Sequence, residues 1–166
     1  MPVRSSPQDP KAAGTLAALK VLDEHWDGHL PVRPLWIARV MKIEVVREDL
    51  PEAVAGMLEC REGRSRIHLN RRDRKSRQNF TLAHEMGHFV MHRGRDVERV
   101  DYRARLATRG IDDDEIFANA FAAELLMPEP MVRALLERGV GAKQMAREFR
   151  VSAKAMDNRL ESLGWQ

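Results

Sequence analysis

The stretch Phe80-Thr81-Leu82-Ala83-His84-Glu85-Met86-Gly87-His88-Phe89 constrains this chain more than any other. It sets His-Glu-x-x-His inside an apolar, helix-forming run. On a helix, residues four apart lie one turn above each other, with roughly 5–6 Å between Cβ atoms. His84 and His88 can then direct both imidazoles at one metal ion from a single face. Glu85 lies about 100° round the helix from His84, placed to hold a water beside that ion without serving as a ligand. Ala83 and Gly87 are small enough to admit a second helix or a strand, while Phe80, Leu82, Val90 and Met91 offer apolar surface to bury. Two imidazoles embedded in such a helix need partners. The spacing points to a zinc ion and to hydrolysis of a peptide.

A catalytic zinc usually takes three protein ligands and leaves its fourth position open. A third histidine six residues past the second is ruled out, because that position is Gly94. His92 is one turn beyond His88, but relative to His84 it is rotated by about 80° and lies ~12 Å along the axis. It reads as a core histidine or one supporting a ligand from behind. A better third ligand opens the helical run from Asp114 to Met127-Pro128: Glu115, with Asn119 one turn later on the same face. Ala118 and Ala122 would let this second helix pack closely on the first. Glu115 would complete a His-His-Glu set, and Asn119 would hydrogen-bond the outer atoms of a ligand. Glu124, the rival, is two and a half turns from Glu115 and reads as an exposed carboxylate or one pairing with a helix N-terminus. Asp112, Asp113 and Asp114 suit the positive end of the helix dipole.

The segments Phe80 to His88, then Glu115-x-x-Ala118-Asn119-x-Phe121-Ala122-Ala123-x-Leu125-Leu126-Met127-Pro128, resemble the ImmA/IrrE family of zinc metallopeptidases. The likeness extends to Ile67-His68-Leu69-Asn70 and to Val151-Ser152…Arg159-Leu160, so it covers most of the chain from about residue 30. It implies that His84, His88 and Glu115 are the Zn²⁺ ligands and Glu85 the catalytic carboxylate. It also implies a protein substrate, a helix-turn-helix repressor, in mobile elements, stress responses or toxin–antitoxin-like pairs. The charged 93–115 stretch is where the family pattern varies. Besides the metal, a peptidase needs a group that stabilises the oxyanion. Tyr102, His92 and several arginines are the candidates.

The chain has 166 residues, of which 43% are hydrophobic, enough for one domain with a core. A single cysteine, Cys60, excludes an internal disulfide and fits a reducing cytoplasm. The start lacks an apolar signal core, and no apolar run approaches the ~18–20 residues of a membrane span. A soluble intracellular protein is expected. The formal charge of +3 permits nucleic-acid contact without demanding it.

Residues 1–10 read as a flexible tail, 11–140 as a zincin-like peptidase domain and 141–166 as a C-terminal helical pair packed on it. The fold class is α+β: two helices, a small three-stranded sheet (Ile43 to Val46, Ala53 to Cys60, Ser65 to Leu69), the motif helix from about Ser76 to His92, and further helices. The stretch 93–111 reads as a loop or a mobile helix over the cleft. Eight basic residues between Arg61 and Arg77 read as a solvated rim. The C-terminal pair resembles a helix-turn-helix, with Ser152 as cap. Ala153, Ala155 and Asp157 offer little to base edges, so DNA binding is not favoured.

Overall fold

The computed structural model describes residues 9–102 and 112–165. Asp9 caps α1 (Pro10–His25), accepting from the Lys11 amide, and Pro10 stands at the helix start where a missing N–H costs nothing. Helix α2 (Pro34–Val40) leads into β1 (Ile43–Glu48), β2 (Val54–Arg61) and β3 (Arg64–Asn70). The motif helix α3 (Lys75–Met91) follows, then β4 (Val97–Tyr102). Helices α4 (Asp113–Leu126), α5 (Glu129–Glu137), α6 (Ala142–Glu148) and α7 (Ala153–Ser162) complete the chain. The α+β class stands. Among the described residues no helix is long and apolar enough to cross a membrane.

Among the described residues the sheet has four strands in the order β1-β3-β2-β4, one more than the sequence suggested. β1 runs parallel to β3, while β2 is antiparallel to both β3 and β4. The extra strand falls in the stretch expected to be a loop or a helix. Its charges obscured Val97, Val100 and Tyr102, which suit a strand. They pair with an edge of β2 that three strands would have left open. Residues 1–8 and 103–111, which hold most of the expected tail and the rest of that stretch, lie outside the described residues.

Facing residues in neighbouring strands share a side of the sheet. Gly56 and Leu58 of β2 stand opposite Leu69 and Ile67 of β3, and this apolar face covers α3. On β4 the same register sets Asp101 opposite Gly56 and Arg99 opposite Leu58. Two charged side chains are thereby turned towards the motif helix. The other side of α3 packs on α4, with α1 lying along α4 in turn.

Close helix contact depends on Gly87. A Cβ there would lie 2.9 Å from Ala118 Cα and 3.1 Å from Phe121 Cβ, so the α4 backbone would have to move. Gly87→Ala should cost about 1–2 kcal/mol, because overpacking outweighs the gain in helix propensity. Urea unfolding measures this. An unchanged midpoint would show that α4 can recede freely.

Candidate metal centre

The α3 helix delivers His84, Glu85 and His88 fully buried. One turn of helix sets the two imidazoles edge to face, with Nε2 atoms 3.1 Å apart. From α4, the Glu115 carboxylate reaches them, with Oε2 3.4 Å from His84 Nε2 and Oε1 3.2 Å from His88 Nε2. Asp112 fixes the start of α4 by accepting from the Glu115 amide at 2.9 Å. Asn119, one turn on, holds the far side of His84: its Oδ1 is 2.9 Å from His84 Nδ1. With the proton on Nδ1, Nε2 is left bare for a metal.

The fourth member of the cluster is Asp101, which reading the sequence missed. Its donor atom and those of His84, His88 and Glu115 all lie within 4.8 Å of one another. Arg99, on the same face of β4, ion-pairs with Glu115 and approaches Asp114 at 3.7 Å. The available signal was the alternation on a short strand: Arg99 and Asp101 share a face, and Asp101 stands opposite a glycine.

The donor chemistry suits a divalent metal. Glu85, Asp101 and Glu115 are three buried carboxylates, and among the described residues Arg99 ion-pairs with one of them, leaving a formal charge of −2 for these four side chains. Both oxygens of Glu85 and Asp101, and Oε2 of Glu115, have no hydrogen-bond partner among the described residues. Buried carboxylates without donors are costly, and a cation among them removes that cost. Two imidazole nitrogens with carboxylate oxygens form a set that zinc and its neighbours in the first transition row accept.

Electrostatics separate the roles further. Burial pushes the Glu85 carboxyl well up, and Asp101 beside it pushes the same way. Burial also acts to raise Glu115, but hydrogen bonds and charge from His84 and His88 outweigh it and hold this carboxyl below the usual range. Burial lowers His88. Ionised Glu115 and neutral His88 are the forms that bind metals, while Glu85 has an affinity for protons nearer that of a proton carrier.

The remaining candidates fall outside the cluster. His92 caps the C-terminus of α3; its ring stacks on His88 with centroids 6.4 Å apart, and its Nε2 lies 3.4 Å from Asp114. It supports His88 by ring packing and through the backbone, its amide donating to the His88 carbonyl at 3.0 Å. Tyr102 follows Asp101 on β4, half exposed, and strand alternation directs it to the opposite face. Among the described residues, the positive side chain paired with a member of the cluster is Arg99. Glu124 is buried rather than exposed, and it accepts from the Glu129 amide at the start of α5 at 3.0 Å. The eight basic residues from Arg61 to Arg77 are all exposed, and Arg66, Arg71 and Arg72 pair with Glu44 or Asp49.

A family described as the IrrE N-terminal-like domain, Peptidase_M78, matches residues 38–161. The chain belongs to this family. It is a metallopeptidase family, and the match takes in α3, β4 and α4 entire. Metallopeptidase ImmA of Bacillus subtilis is 28% identical over 132 residues, which are 77% of this chain and 75% of that relative. Radiation response metalloprotease IrrE of Deinococcus radiodurans is 36% identical over 93 residues, 54% of this chain. The chain spans only 28% of the length of that second relative.

Proposed function

We propose that this M78 peptidase is a cytoplasmic zinc endopeptidase that cuts one regulatory protein, a helix-turn-helix repressor. The observation that carries the zinc reading is the convergence of His84, His88 and Glu115 with donor atoms 3.1–3.4 Å apart. Tetrahedral ligands at zinc bond lengths of ~2.0–2.1 Å lie roughly 3.3–3.4 Å from one another. The relatives' names, a metallopeptidase and a radiation response metalloprotease, support a regulatory protease. The repressor as substrate rests on the family resemblance.

His84, His88 and Glu115 would hold the ion. When bound, zinc acts as a Lewis acid that polarises a carbonyl and lets water ionise near neutral pH. Glu85 takes the proton of the attacking water on a carboxylate oxygen and delivers it to the leaving amine nitrogen. Asn119 keeps His84 in the required tautomer. Arg99, close to Glu115, can balance negative charge developing on the carbonyl oxygen. The substrate would lie extended along the outer edge of β4, adding a strand to the sheet.

Co-expression with the protein encoded beside it, read by intact mass, tests the substrate. A discrete fragment with the native chain and none with Glu85→Gln supports directed cleavage. An intact neighbour copurifying with both forms would replace the peptidase reading with that of a binding module. The ligand set has its own test: Glu115→Ala should weaken zinc binding by at least about 10–100-fold in chelator competition. Unchanged affinity would remove Glu115 from the set.

A further inference from the structure

Asp101 is left without a task by the mechanism above. It is fully buried, and among the described residues neither carboxylate oxygen has a hydrogen-bond donor. Its Oδ2 lies 3.9 Å from His84 Nε2 and 4.0 Å from His88 Nε2. Arg99 pairs through its terminal nitrogens with Glu115 and Asp114, and its Nε has no partner among the described residues. A buried carboxylate facing two imidazole nitrogens is well placed to take a cation lying between them.

The strand geometry shows how it arrives there. Asp101 stands opposite Gly56, and the pairing of β2 with β4 shifts register between Val54 and Gly56. Such an irregularity bends a strand and re-aims its side chains. The glycine matters as well, because a Cβ at 56 would lie 2.6 Å from Thr81 Cγ2 and 3.2 Å from Glu85 Oε1. A glycine at this point of β2 lets Thr81 and Glu85 of α3 lie close under the sheet.

Resting on the zinc reading above, we propose that Asp101 is a fourth, displaceable metal ligand that closes the centre until substrate engages β4. Three protein ligands leave a catalytic position open, and four are the mark of a closed site. Asp101 is the outermost of the four: its separations from the histidines exceed the 3.1–3.4 Å that link the other three donors. It is also the one carried by an edge strand, bonded to the rest of the sheet on one side. Among the described residues the outer edge of β4 has no partner strand, and a peptide adding there can shift β4 and withdraw the carboxylate. The resting enzyme is thereby protected from cutting unselected peptides.

The test uses the full chain loaded with cobalt(II) in place of zinc, comparing native protein with Asp101→Ala and with Asp101→Asn, which keeps the shape. Native protein should bind the metal at least about tenfold more tightly than either variant in chelator competition. Its visible absorption should barely respond to added acetohydroxamate, whereas the variants should change spectrum as that ligand enters. Cleavage of short unselected peptides should rise in the variants. Equal metal affinity together with equal hydroxamate response in all three proteins would overturn the assignment. If the native chain binds metal and native and variant proteins admit hydroxamate alike, Asp101 fails and the zinc reading stands. If the native chain binds no divalent metal, both fail.

Discussion

Glu85→Gln should lose peptide cleavage by roughly 10²–10⁴-fold in kcat while retaining the metal. The substitution keeps the shape of a fully buried side chain packed under β4, so α3 has no reason to move. Glu85 is not among the clustered donors His84, His88, Asp101 and Glu115, and zinc affinity should therefore stay within about threefold. What disappears is the acceptor for a proton. An amide has no basicity near neutral pH, whereas burial and the neighbouring Asp101 raise the proton affinity of the Glu85 carboxyl. Stability should not fall either, since the amide brings N–H donors to a place where the Asp101 oxygens lack them. Metal content, urea midpoint and turnover on the same preparation separate the possibilities. Native turnover in a metal-replete Glu85→Gln would dismiss Glu85 as the proton carrier. Lost activity with lost zinc would mean that the variant reports on binding instead.

The part of the centre carried on helices was legible because helical spacing makes neighbours of residues close in sequence. His84 and His88 announced themselves through one turn of helix, and Glu115 with Asn119 through another. The small residues in both helices also carried information: Gly87 is where α3 meets the backbone of Ala118. Asp101 had no such local signature. Its position depends on which strand lies beside β2, and that pairing joins segments some forty residues apart. In sequence, Val97 to Tyr102 alternates too briefly, and two of its three charges, Arg99 and Asp101, face the interior. Inward charges are the usual mark of a loop or an exposed edge, and only a metal centre reverses that inference. Tyr102 is one step on from Asp101, and one step along a strand turns a side chain to the other face.

Arg159→Ala should destabilise the protein by about 3–5 kcal/mol. Arg159 belongs to α7, whose likeness to a recognition helix raised DNA binding. Its guanidinium instead turns inward, with 6% of the residue exposed. There it ion-pairs with Glu124 at the end of α4 and donates through Nε to the Met127 carbonyl at 3.1 Å. The other Glu124 oxygen is committed to the Glu129 amide. Truncating Arg159 would leave a buried carboxylate with one hydrogen bond and no counter-charge. It would also free the carbonyl that ends α4. A buried pair need not be worth much against an apolar replacement of both partners, but stranding one charge is expensive. The double variant Glu124→Gln with Arg159→Met should therefore recover at least about half of the loss. Equilibrium urea unfolding of the three proteins measures this. A loss below about 1 kcal/mol for Arg159→Ala would show that Glu124 rehydrates and that α7 is free to leave the core. Such freedom would reopen the question of what else α7 touches. A large loss, relieved in the double variant, ties the C-terminal pair to the helix that carries Glu115, and makes α6 and α7 a buttress of the catalytic domain.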